Sequence, residues 1–220
     1  MNVHSPHPAP RKTTVNQPDR SPPQSEIRAV EILEGVRMAF AEKGFDGASM
    51  QDLARACGMS VGNFYRYFPS KAAIVAALVT RDLAEVEEEF SKIIESNDPM
   101  RTLREALRFR IEEDQCTTDG QLWAEVTAAS LRKPEIADIC LQMETEVGRY
   151  LCIVFARVKG ISYDEAQATY GAHARLLVMM VKASAMHRSP DIAEQENLTA
   201  LMIRTVNRIL DEIVSDDVKG

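Results

Sequence analysis

The stretch SMQDLARACGMSVGNFYRYF, from Ser49 to Phe68, constrains this chain more than any other. It reads as two short helical segments, 50–57 and 61–68, separated by Gly58. Segments this short are not stable alone in water, so they hold only by packing on each other and on their neighbours. Ser49 and Ser60 stand where a side chain can cap a helix start. Gly58 suits a turn that needs positive φ, and Ala54 is small enough for two helices to cross closely. Leu53 and Cys57 on the first segment face Val61 and Phe64 on the second as apolar anchors. That leaves Ser60, Gly62, Asn63, Arg66 and Tyr67 on the outward face of the second segment. Such a face is polar and slim enough to enter a DNA major groove. A small helical hairpin with no nucleic-acid role shows the same alanine, glycine and anchors, so the pattern alone leaves both readings open.

The rest of the chain predicts an all-α protein of about nine helices. Ile27, Val30, Leu33, Val36 and Phe40 recur at spacings of three and four, the stripe of a leading helix that Gly44 ends. Ser70 caps a helix from Lys71 to about Ile94. Asp98-Pro99 opens one to about Cys116. Asp119-Gly120 separates it from one ending near Arg132, and Pro134 opens one that runs to Lys159. Gly160 ends that helix, and Ser162 with Glu165 has the capping-box spacing before a helix to about His187. Ser189-Pro190 opens the last, which ends near Val214. Residues 1–25 carry six prolines and only two large aliphatic residues, Val3 and Val15, so they are expected to be a disordered tail. Arg11, Lys12 and Arg20 make a DNA-touching arm the second reading of that tail. The organisation expected is the tail 1–25, a DNA-binding domain 26–86 with its helix-turn-helix at 49–68, and a helical domain 87–220.

Charge and cysteine usage exclude several classes. The net charge is −7, yet residues 1–80 hold nine lysines and arginines against seven acids, and the deficit lies entirely beyond them. An acidic total argues against indiscriminate coating of nucleic acid and leaves room for a local DNA-contacting face. Cys57, Cys116, Cys140 and Cys152 form no CxxC pair and no metal-ligand cluster with the four histidines, of which His4 and His7 sit in the tail. They are expected to be reduced thiols of a cytoplasmic protein with no metal and no cofactor. No apolar run is long enough for a membrane helix, and no secretory leader is evident. Gly-rich phosphate loops, HExxH and a Cys/His dyad are all missing, so an enzyme is not expected.

The segments FDGASMQDLARAC (Phe45 to Cys57) and GMSVGNFYRYFPSK (Gly58 to Lys71) resemble the signature of the TetR family of bacterial transcriptional regulators. The resemblance covers roughly residues 26–80. It includes the leading amphipathic helix, the Gly44-Phe45 link, the cap at Ser49 and an aromatic-rich recognition helix that ends in Phe-x-Ser-Lys. Tyr67 stands where many members have histidine. The resemblance implies a repressor that binds a palindromic DNA operator as a homodimer and is released by a small effector. It implies DNA contacts from Ser49, Ser60, Val61, Gly62, Asn63, Tyr65, Arg66, Tyr67 and Lys71. Lys71 opens a helix, where a cation opposes the macrodipole, and a nearby phosphate would repair that.

Beyond residue 80 the family implies an effector pocket and a dimer face. Phe109, Trp123, Met143, Tyr150 and Phe155 are the candidates for a hydrophobic or amphipathic effector, although each alone would also serve as core. Tyr170, His173, Ala174, Leu177 and Val181 line one face of the penultimate helix, and Leu198, Leu201, Met202 and Ile209 one face of the last. Two such helices from each of two chains would build a four-helix interface. Ordinary intramolecular core is the alternative for both stripes. Glu85, Glu87, Glu88 and Glu89 read as a solvated face. The rival functions are a DNA-binding architectural or adaptor protein without an effector and, further off, an all-helical enzyme.

Overall fold

The computed structural model describes residues 24–113, 118–187 and 189–215, and among these it shows nine helices and no strand. They are α1 (Gln24–Lys43), α2 (Met50–Ala56), α3 (Val61–Tyr67), α4 (Lys71–Glu95), α5 (Pro99–Glu113), α6 (Thr118–Ser130), α7 (Pro134–Lys159), α8 (Tyr163–Met186) and α9 (Ile192–Ser215). The expected tail falls almost wholly outside the described residues, as does Cys116.

Most helix starts obey the local capping chemistry. The Ser60, Ser70 and Ser162 hydroxyls accept from the backbone N–H groups of Asn63, Ala73 and Glu165. Each satisfies an amide that the helix itself leaves unpaired. The Asp98 carboxylate does the same for Arg101 N–H at 3.0 Å, one residue before Pro99. Two boundaries differ from expectation. α9 is capped by Asp191, whose carboxylate accepts from Ala193 and Glu194 N–H, so Ser189-Pro190 lies ahead of the helix. Gly120 lies inside α6, buried against its neighbours. An acid in a first helical turn is favourable, so Asp119-Gly120 is compatible with a helix start as well as a break.

Two apolar cores organise the chain. The first joins Ile32, Val36 and Phe40 of α1 to Leu53, Phe64, Ile74 and Leu78. It also takes in Leu122, Val126 and Ala129 of α6 and Ile136 and Cys140 of α7. The N-terminal helices therefore do not close their own core at residue 86; α6 packs across α1 and completes it. Val30 is exposed, and the inward stripe of α1 runs through Ile32, Leu33, Val36 and Phe40. The second core joins Phe90, Leu103, Leu107 and Ile111 to Leu151, Phe155, Tyr170, Leu177, Val206, Leu210 and Ile213. In it α7 packs on α4 and α8, and α5 packs on α9.

Candidate nucleic-acid interface and cavity

The helix-turn-helix rests on a doubly capped α2. Asp52 N–H donates to Ser49 Oγ at 3.1 Å, and Ser49 N–H donates to Asp52 Oδ2 at 3.0 Å. Lys43 reaches the same carboxylate at 2.6 Å. Lys43 and the Ser49 hydrogen bonds together hold the Asp52 carboxyl far below the usual carboxylate range. Gly58, at φ +62°, makes the turn into α3, a conformation that costs glycine little and other residues more. Phe64 is the one fully buried side chain of α3. Val61 is 37% exposed and faces outward, which corrects its expected role as an inward anchor. The anchoring is shared instead by Met59 and Phe68, which pack partly buried against the same core from either end of α3.

The outward face of α3 carries Ser60, Val61, Gly62, Asn63, Tyr65, Arg66 and Tyr67, all exposed. Asn63 Oδ1 accepts from Arg66 Nη2 at 2.9 Å, and the Arg66 guanidinium lies 5.8 Å from the Tyr67 ring centroid. The two residues best suited to read base edges are thus already held together. A Cβ at Gly62 would meet nothing within 4 Å, so the backbone there is open to close approach. Ser49 stands exposed at the start of α2.

Lys71 sits differently from the other candidates. Its ammonium donates to Phe45 O at 2.6 Å and Asp46 O at 3.1 Å, and it lies 5.4 Å from the centroid of the Phe45 ring. Partial burial depresses its pKa. Two of its three donors are committed within the chain. The α1–α2 turn is also gripped from α6 and from the turn between α6 and α7. Phe45 N–H donates to Glu125 Oε2 at 3.0 Å, and Asp46 pairs with Arg132 at 2.9 Å and Lys133 at 3.0 Å. Those two cations hold the Asp46 carboxyl below its ordinary value. Gly44, at φ +74°, lets Glu125 come this close, because a Cβ there would stand 2.9 Å from Glu125 Oε2.

A cavity of about 330 Å³ lies between α1, α4, α5, α6, α7 and α8. Its apolar wall includes Phe90, Leu107, Trp123, Met143, Val147 and Val178. Of the five expected effector residues, Trp123 and Met143 line it. Phe109 is 57% exposed on the outside of α5, and Phe155 is fully buried in the second core. Tyr150 stacks on Phe90 at 5.5 Å between centroids but is not part of the wall. Phe90 was missed because a helix stripe marks an apolar face and says nothing of whether a void or a side chain lies opposite. Glu85 and Glu89 belong to the cavity wall, whereas Glu88 is solvated and pairs with Lys92 at 2.7 Å.

The expected dimer stripe also divides. Tyr170, Ala174, Leu177 and Ile209 are buried in the chain's own second core. Val181 and His173 are partly buried; Val181 lines the cavity, and His173 Nε2 lies 3.8 Å from Glu212. Leu198 and Met202 are partly covered, and Leu201 is half exposed. A second apolar row on α8, Ala172, Leu176, Met179, Ala183 and Met186, points outward. α8 is apolar on two sides, and sequence spacing picked the side that its own chain covers.

Among the described residues no group of histidine, cysteine or acid side chains is placed to hold a metal, and no helix is long and apolar enough to cross a membrane. A capped helix-turn-helix standing on a larger all-α body defines the class of protein. The sequence pattern of bacterial regulatory proteins of the tetR family matches residues 32–78. The chain is 28% identical over 121 residues to the HTH-type transcriptional regulator UidR of Escherichia coli K12, a match covering 54% of this chain and 60% of UidR. It is 32% identical over 126 residues to the HTH-type transcriptional repressor AcnR of Corynebacterium efficiens, covering 54% of this chain and 66% of AcnR. The matches thus span under two thirds of these relatives' lengths. GusR of Salmonella enterica shares the fold, with a TM-score of 0.68 at 23% identity over 88% of this chain and 98% of that one. Residues 32–78 thus carry the tetR-family pattern, and the chain is similar in sequence to HTH-type transcriptional regulators.

Proposed function

We propose that this chain is a transcriptional repressor that binds a near-palindromic DNA operator as a homodimer and lets go when a small molecule fills its cavity. The observation that carries the reading is the outward face of α3, where Asn63 and Arg66 are paired and Tyr65 and Tyr67 flank them. Arginine and asparagine are the side chains that recognise guanine and adenine edges, and tyrosine hydroxyls suit phosphates. Ser49, Ser60, Val61 and Gly62 approach the backbone of the duplex, and Lys71 offers its remaining donor to a phosphate. In a dimer two copies of α3 would enter successive major grooves roughly 34–36 Å apart.

The outward row on α8, Ala172, Leu176, Met179, Ala183 and Met186, supports the dimer, as does the half-exposed Leu201 of α9. Control follows two routes from one cavity. α4 starts beside α3 and lines the cavity from Arg81 to Ile93. α6 lines it with Trp123 and, two residues on, holds the α1–α2 turn through Glu125. A ligand that separates these helices shifts both supports of the reading head. Linkage requires that operator DNA weaken ligand binding by the same factor.

Arg66→Ala should lower operator affinity by about 1–3 kcal/mol while changing affinity for random DNA far less. A gel-shift titration of both duplexes at fixed salt measures this; equal losses on both would remove Arg66 from base reading. Met179→Glu should shift the protein from dimer to monomer in sedimentation at micromolar concentration. A variant that stays fully dimeric would place the interface elsewhere.

A further inference from the structure

The charge on the cavity wall points to a class of ligand. Its described lining carries the bases Arg37, Arg81, Arg110 and Lys182 and the acids Glu34, Asp82, Glu85, Glu89 and Glu144. Each base is already engaged by an acid of the same wall. Arg37 pairs with Asp82. Arg81 is shared between Glu34 at 2.8 Å and Glu85 at 3.3 Å. Arg110 lies 2.5 Å from Glu89, and Lys182 lies 2.6 Å from Glu144. The acids outnumber the bases, and a carboxylate offers about four lone-pair sites of which one ion pair uses one or two.

An anion entering here would be stripped of water beside a wall with one more carboxylate than base, with each base of the wall already paired. An organic cation meets the opposite conditions. The carboxylates attract it, and the rings of Phe90 and Trp123 line the same space, where aromatic faces stabilise a positive charge. Apolar side chains of α5, α7 and α8 receive the rest of the molecule. We infer that the cavity takes an organic monocation with an apolar body and rejects the carboxylate of the same size. The inference rests on the effector reading above and adds the sign of the ligand's charge.

The test uses three probes of equal chain length, octyltrimethylammonium, octanol and octanoate, titrated into the full chain without DNA. Calorimetry gives each Kd, and Trp123, the chain's one tryptophan, reports occupancy of the cavity by its fluorescence. The ammonium should bind about tenfold more tightly than octanoate and more tightly than octanol, with a Trp123 response. Glu89→Gln, at a partly exposed site, should weaken the ammonium and strengthen octanoate while octanol stays unchanged. Octanol or octanoate binding as tightly as the ammonium overturns the inference, as does an ammonium that does not bind or leaves Trp123 unmoved. Operator binding by the unliganded protein is measured separately: its failure would refute the repressor reading and leave the order of the three Kd values standing.

Discussion

Asp82→Ala should destabilise the protein by about 3–5 kcal/mol, because it removes the carboxylate that faces a buried guanidinium. Arg37 is 7% exposed at its side chain and Asp82 is 15% exposed, and the pair joins α1 to α4 at the cavity wall. Glu34, 3.9 Å from Arg37 and half exposed, adds little to the pair. The double variant Arg37→Met with Asp82→Leu should recover most of the loss, since apolar replacement of a whole buried pair is often neutral. Urea unfolding of the three proteins decides the matter. An Asp82→Ala loss below about 1 kcal/mol would mean that water reaches the pair and that its burial contributes little.

Phe64→Ala should cost about 3–5 kcal/mol, the usual range for emptying a fully buried aromatic site. Its effect on DNA binding should be larger than that figure alone conveys. Phe64 is the only buried residue of α3, and its ring packs 5.4 Å from that of Phe68. Without it a seven-residue helix keeps its Ser60 cap but loses the contact that fixes its angle. Amide exchange should accelerate in residues 61–68 before it does in α7 or α8. Operator binding should fall below detection at temperatures where most of the chain is still folded. Exchange that accelerates uniformly across all helices would contradict this local account.

What was legible in the sequence is what local chemistry determines. The hydroxyls of Ser49, Ser60, Ser70 and Ser162 each find the amide their position implies, because a cap involves residues two or three apart. The outward set on α3 was readable for the same reason, with Val61 the exception: at the first turn of a seven-residue helix its stripe position does not reach the core. Long-range pairing was not legible. Nothing in DGQLWAEV signals that Leu122 and Val126 would close a core begun by Ile32 and Phe40, or that Glu125 would hold Phe45 N–H. The two apolar sides of α8 could not be ranked, since the helices packed on it, α7 foremost, decide which is covered. Phe109 and Trp123 look alike in a sequence, yet packing leaves one in solvent and puts the other on the cavity.

The shared first core has a consequence for how the chain is made. Ile136 and Cys140 belong to the same apolar cluster as Phe40 and Phe64, so the reading head lacks part of its interior until about two thirds of the polypeptide has left the ribosome. A nascent chain halted after α4 would present Val36, Ile74 and Leu78 to its surroundings without the α6 and α7 side chains that share their core. Such a product would be prone to aggregation rather than a free-standing DNA binder. On the repressor reading proposed above, operator occupancy would be reserved for chains that already carry the cavity helices, and a truncated transcript would yield no unregulated repressor.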